Sequence, residues 1–226
     1  YRYRVWKEPK MKLTSLAHHT DEAGIVTVEA AYELPDVKAK LNMTYRINGE
    51  GTIQVTEKMT TDPSAKVANM FRFGMQLTMP RSFDRLTYYG RGPVENYADR
   101  KQAADLGIYC QSVASQFYPY IRPQETGTKT DIRWWQMQSA AGRKLTVTAT
   151  VPFSASALHY RQETLDEGIR KHQTHSGELT EEELTTLSID LVQMGLGCED
   201  SWGRTARPEY LLPYQDREFT FTLKAE

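Results

Sequence analysis

The chain has 226 residues, enough for one large all-β domain or two small ones around a substantial core. Its 28 Lys and Arg nearly balance 29 Asp and Glu, and the formal net charge is −1, with no basic stripe or acidic tail; this argues against nucleic acid as a partner. No stretch approaches the roughly 18 apolar residues of a membrane-spanning helix, so no membrane partner is expected.

A period of two runs through most of the chain. A first strand is predicted over Ile25–Tyr32. In the next run, Leu41, Met43, Tyr45 and Ile47 share one face while Asn42, Thr44 and Arg46 share the other. Asn48-Gly49-Glu50-Gly51 follows, then Ile53 and Val55; alternating runs on either side of Asn-Gly predict a hairpin. Phe71, Phe73, Met75, Leu77 and Met79 alternate with Arg72, Gly74, Gln76 and Thr78. Strands are also predicted over Ile132–Met137, Leu145–Val151, Leu187–Leu191 and Phe219–Leu223. Each reads as half-buried, one face to the core and one to solvent, as in an antiparallel sheet. Helix signals are sparse: a short helix within Ser154–Glu167, and a turn at Thr180–Glu183, which has the spacing of a capping box. No linker or repeat divides the chain. The expectation is one domain over residues 1–226, all-β, built as a large antiparallel two-sheet β-sandwich.

Cys110 and Cys198 form no disulfide framework and no metal-binding spacing, and free thiols are expected. Aromatics make up 11% of the chain, several of them among Gly, Pro, Asn and Asp rather than on strands. Rings in such loops suit sugar binding, because a flat ring can lie against the apolar C–H face of a pyranose. Two segments read as long loops, Tyr88–Arg100 and Tyr118–Gly127, and loops on a rigid sheet are where function concentrates.

Three stretches carry a family resemblance. Gly90-Arg91-Gly92-Pro93-Val94-Glu95-Asn96-Tyr97-Ala98-Asp99-Arg100 resembles the Gly-x-Gly-Pro-x-Glu-Asn-Tyr-x-Asp-Arg loop of family 2 β-galactosidases. Pro119-Tyr120-Ile121-Arg122-Pro123-Gln124-Glu125-Thr126-Gly127, with Arg133-Trp134, resembles the family's next loop and strand. Met194-Gly195-Leu196-Gly197-Cys198-Glu199-Asp200-Ser201-Trp202-Gly203 resembles its Gly-Gly-Asp-Asp-Ser-Trp loop, with Cys198 and Glu199 in place of a Gly and an Asp. The resemblance covers most of residues 45–223. It implies the supersandwich shared with galactose mutarotases, and the last domain of a retaining glycosidase whose two catalytic Glu residues lie in a separate barrel domain. The family's Trp-Arg-Ala-Pro-like stretch is not found here, which implies that the chain starts inside the domain and lacks a first strand.

On this resemblance Trp202 stacks on the sugar, with Asp200, Ser201, Glu95, Asn96 and Arg100 beside the same pocket. No catalytic residue, metal or cofactor is assigned to the chain itself. The implied partners are a β-galactoside and the other domains of the parent enzyme, above all its barrel. The residues alone leave alternatives open. Trp202 can instead fold back on the edge of the core, since Trp is highly buried on average. Glu95, Asp99 and Arg100 can hold their loop by carboxylate–guanidinium bonds, the commoner use of such groups. The same holds for Arg122, Gln124, Glu125 and Arg133. Glu95 and Glu125 are set aside as a catalytic pair, because the resemblance places that pair elsewhere. His18, His19, His172 and His175 complete no ligand pattern. Two competing readings of the whole are a free-standing carbohydrate-binding or structural module, and a small mutarotase-type enzyme. The second needs a Glu base and a His acid in one cleft, and no His lies in the three loops.

Overall fold

A computed structural model describes residues 2–166, 174–197, 200 and 202–226. After a 3₁₀ turn over Arg2–Trp6 come strands β1 (Lys12–Thr20), β2 (Val26–Leu34), β3 (Ala39–Ile47), β4 (Thr52–Thr61), β5 (Arg72–Pro80) and β6 (Arg85–Gly92). They are followed by β7 (Asp105–Ser112), β8 (Lys129–Gln138), β9 (Lys144–Leu158), the one-turn helix α1 (Gln162–Leu165), β10 (Leu184–Gln193) and β11 (Arg217–Ala225). Every ladder is antiparallel.

The all-β antiparallel expectation holds, with one refinement. The strands form one hydrogen-bonded network of 11, in the order β1-β2-β3-β4-β11-β9-β8-β6-β7, with β10 and β5 branching from β9. The long strand β9 is the junction. Leu145–Ala149 pairs with β11, whereas Ser154–Leu158 pairs with β10. The sandwich thus has continuous layers. Leu187, Ile189 and Phe73 from β10 and β5 join Met43, Val55, Phe219 and Phe221 from β3, β4 and β11 in one core. Tyr88 of β6 stacks on Trp135 of β8 at 5.1 Å, and both are fully buried.

The alternation explains which strands were predicted. Val55, Leu187 and Ile189 sit on core faces as expected. The β3–β4 hairpin forms, with the Asn48 Oδ1 accepting the N–H groups of Glu50 and Thr52 at 3.0 Å. Three strands escaped prediction, β1, β6 and β7. β1 is exposed along its whole length and, among the described residues, pairs only with β2, so no core face patterns it. β7 is an inverted edge strand: Tyr109 packs inward on Tyr88, while Leu106 and Ile108 face outward. The segment read as a loop from Tyr88 is strand as far as Gly92, and only residues 93–100 form the loop. Ser154–Leu158 continues β9, the short helix expected within Ser154–Glu167 is the one-turn α1 at Gln162–Leu165, and the turn expected at Thr180–Glu183 falls instead at Ser176–Glu178.

Candidate functional site

The three loops singled out in the sequence meet at one place, joined by two carboxylates. Glu95 ties the first loop to the second. It accepts hydrogen bonds from Arg100 Nη2 at 2.8 Å, Thr126 Oγ1 at 3.0 Å, the Gly127 N–H at 2.8 Å and the Tyr120 hydroxyl. Arg100 Nη2 also donates to the Tyr120 hydroxyl at 2.8 Å, and the Arg100 guanidinium lies 4.6 Å from the centroid of the Tyr97 ring. A charged fork stacked on one ring and bonded to a second holds a single shape, which long loops otherwise do not.

Asp99 ties the first loop to the third. Its Oδ2 accepts the Gly197 N–H at 2.5 Å. The approach depends on glycine: a Cβ on Gly195 would stand 2.7 Å from the Asp99 Cγ. The base of the third loop is fixed by Met194 N–H to Phe71 O and Gly195 N–H to Tyr210 O, both 2.8 Å. Beyond it, Asp200 Oδ1 accepts the N–H groups of Trp202 at 2.8 Å and Arg204 at 3.3 Å. A short carboxylate closing a turn on its own backbone is the Asx arrangement. It carries Trp202 out of the protein. The Trp202 side chain does not fold back on the core, for the residue is 95% exposed.

Other expected site residues divide. Asn96 is 1% exposed and spends its side chain inside the chain. Its Nδ2 donates to Arg91 O at 3.1 Å and Val94 O at 3.0 Å, and its Oδ1 accepts from Thr130 N–H at 3.0 Å and Thr130 Oγ1 at 2.6 Å. No capacity remains for a sugar, so its place in this geometry is a staple between the first loop and β8. Glu95 is likewise committed to internal bonds, whereas the Arg100 side chain is 43% exposed and keeps donors toward solvent. Ser201, with Cys198, Glu199 and His172, lies outside the described residues. Cys110 is an exposed free thiol. Arg133 lies 5.8 Å from the Tyr89 ring centroid. His175 Nδ1 contacts Ile121 O at 3.1 Å.

Sequence reasoning missed a set of polar groups. Lys129 is fully buried beneath the second loop and donates to Gln116 Oε1 at 2.8 Å and Gly127 O at 3.0 Å. Burial pulls its pKa down to about 8, against the pull of the Glu95 charge. Arg72 of β5 bridges Glu125, at 3.2 Å, and Asp190 of β10, at 3.6 Å. Burial pushes Asp190 up to about 6, although Arg72 opposes the shift. In the core, Glu57 of β4 is buried with its Oε1 unpartnered among the described residues, and burial, aided by the Asp190 charge, pushes it up to about 8. Arg72 and Asp190 looked like the solvent face of half-buried strands, so alternation hid them.

Comparison with known proteins agrees with the three loops. The family described as Beta galactosidase small chain matches residues 1–223. The chain is 36% identical over 202 residues to a beta-galactosidase of Priestia megaterium, covering 88% of this chain and 19% of that protein. It is 35% identical over 192 residues to one of Lactobacillus delbrueckii subsp. bulgaricus, covering 84% and 18% respectively. With a beta-galactosidase of Vibrio cholerae it shares 30% over 216 residues, 96% of this chain and 19% of the other. Among solved structures, the GH36 alpha-galactosidase AgaA from Geobacillus stearothermophilus superposes with a TM-score of 0.53 at 8% identity, over 96% of this chain and 28% of that one. At that identity the likeness concerns the fold alone.

An antiparallel β-sandwich with these three latched loops defines a domain of the glycoside hydrolases. Within that class, the chain belongs to the beta galactosidase small chain family. It spans about a fifth of the length of the relatives that it matches, 19% and 18% of the first two.

Proposed function

We propose that this chain is the C-terminal domain of a β-galactosidase and supplies Trp202 as a stacking platform for the sugar in an active site whose catalytic carboxylates lie in another domain. The observation that carries the reading is the 95% exposure of Trp202 on a turn set by Asp200 and a loop anchored by Asp99. Trp is ordinarily among the most buried residue types, and leaving it in water forfeits the burial of roughly 200 Å² of apolar ring. The bonds at Gly197 and at the Trp202 turn favour a ring that is presented over one left in solvent by chance. Arg100, stacked on the Tyr97 ring in the first loop, also keeps donors for a hydroxyl.

Contact with neighbouring domains fits the rest of the surface. Leu13 and Leu16 on β1, Ile108 on β7 and Ile121 on the second loop are largely exposed, and exposed apolar side chains in number mark contact surfaces. A barrel packed on the loop end would cover Ile121 and bring its carboxylates to the sugar held by Trp202.

Fluorescence of the glycosidase that contains this chain tests the reading. Saturation with a non-hydrolysable thiogalactoside is expected to shift Trp emission to shorter wavelength, as the Trp202 ring leaves water. The same titration of Trp202→Phe is expected to show no shift. A shift that survives the substitution, or none in the unsubstituted enzyme, overturns the stacking role.

A further inference from the structure

A cleft of about 630 Å³ opens on the outer face of β5 and β10, roofed by the N-terminal 3₁₀ turn and flanked by Glu125 and Gln162. Its floor is the polar face of the two strands. The register sets Gly74 against Asp190 and Gln76 against Ser188, so these residues share that face, while Met75 and Ile189 pair on the other. Two devices turn the Asp190 carboxylate toward the cleft, which it lines. Gly74 leaves room where any side chain would collide, since a Cβ there would stand 2.8 Å from Asp190 Oδ1. The register also breaks between Asp190 and Val192, and bulges of this kind re-aim side chains beside binding sites.

Glu125 accepts from Thr128 Oγ1 at 2.9 Å, Arg72 Nη2 at 3.2 Å and Gln162 Nε2 at 3.3 Å, whereas the floor of the cleft is less fully bonded. Asp190 is 2% exposed, yet among the described residues its carboxylate has one ionic partner, Arg72 Nε at 3.6 Å, and no hydrogen bond. Arg72 reaches Ser188 Oγ only at 3.4 Å, and Gln76 Nε2 reaches Ser188 Oγ at 3.3 Å and Gln162 Oε1 at 3.5 Å. Contacts at the long end of the hydrogen-bond range leave donors and acceptors that a ligand's hydroxyls can satisfy at shorter distance. Phe71, 41% exposed, supplies a ring at the rim.

We propose that this cleft binds a neutral saccharide, with Asp190 and Glu125 accepting from its hydroxyls, Arg72 donating, and Phe71 against an apolar face of the ring. The charge balance at the floor selects the class. Two carboxylates face one guanidinium there, and around the whole lining Glu125, Glu163, Asp166 and Asp190 outnumber Arg4, Lys7 and Arg72, a balance that disfavours anions, while the guanidinium between the floor carboxylates discourages a metal ion. A volume of about 630 Å³ lies within the usual range of small-ligand sites, about 300–1,000 Å³, and admits a disaccharide. The proposal goes beyond the role of Trp202, which does not line the cleft, and stands or falls without it.

Calorimetric titration of the chain with D-galactose, lactose and, separately, inorganic phosphate tests the site. The account expects saccharide binding with a Kd on the order of 1 mM and no phosphate binding. Ile108→Ala, on the exposed edge strand β7 and outside the cleft, is expected to keep that affinity within two-fold. Asp190→Asn and Phe71→Ala are each expected to weaken it ten-fold or more. Phe71 is on the rim, so its substitution leaves the fold intact and serves if Asp190→Asn does not fold. The proposal is overturned by any of three results: no saccharide binding by the unsubstituted chain, binding abolished by Trp202→Ala yet kept in Phe71→Ala, or phosphate binding in place of sugar.

Discussion

Single residues at the loop end do two kinds of work, and the contacts separate them. Glu95, Asn96 and Asp99 build; Trp202 and Arg100 face outward. Asn96 fills all four of its side-chain hydrogen bonds within the chain. Asn96→Ala would strand the Thr130 N–H and the carbonyls of Arg91 and Val94 in a buried place. Since each stranded group costs about 1–3 kcal/mol, the variant is expected to lose on the order of 3 kcal/mol in urea unfolding, with the m-value unchanged. A loss under about 1 kcal/mol would mean that water reaches those groups and that Asn96 is free for other roles. The exposure of Trp202 removes the competing reading of a ring folded on the core, and its contact with a sugar is the proposal to be tested. The partners that fix Trp202 were hard to read in the sequence. Nothing in Asp99 alone says that it reaches a loop 98 positions away, and the clue was indirect: glycines at 195 and 197 leave room for something.

At the scale of elements, alternation marked most strands with one face on the core, missed β6, whose Tyr88–Gly92 end was read as loop, and failed in two opposite situations. β1 has no buried face and β7 turns its apolar residues outward, so neither carries the pattern. β5 and β10 fail differently. Their polar residues alternate as a solvent face should, yet that face is the floor of a cleft, and Ser188 and Asp190 are buried there. Period two records which residues differ, not what covers each side. The tight pairing of the two strands at Gly74 gives a prediction at this scale. A Cβ at that position would lie 2.2 Å from Ile189 O, a backbone atom that cannot swing away. Gly74→Val is expected to destabilise the chain by about 1–3 kcal/mol in chemical unfolding, the usual cost of overpacking. Gly142, with nothing within 4 Å of its Cβ but a positive φ of 80°, should respond to the same change mainly through backbone strain.

For the molecule as a whole, the buried carboxyls set the response to pH. Glu57 titrates near 4.5 when unfolded and at about 8 when folded. Its folded value is the higher one, so the fold favours the proton. The stability that depends on a neutral Glu57 is complete below pH 4.5 and falls as pH rises through about 8. Asp190 acts in the same direction, between 3.8 and about 6. Glu57→Gln keeps the shape of the neutral acid and removes the titration. Its Tm should exceed that of the unsubstituted chain by several degrees near pH 8 and match it near pH 4.5. Equal melting temperatures at both values would mean that Glu57 is solvated in the folded state.

The central claim is that this domain reaches into the active site of its glycosidase through Trp202. The most direct measurement is kcat/KM on an aryl β-galactoside for that enzyme and for its Trp202→Ala and Trp202→Phe variants, with assembly checked by sedimentation. The account predicts a loss of ten-fold or more for Ala, about 1.4 kcal/mol of transition-state stabilisation, and partial recovery for Phe, which keeps a flat ring. An unchanged kcat/KM in the correctly assembled Trp202→Ala enzyme would contradict it and leave the domain as scaffold.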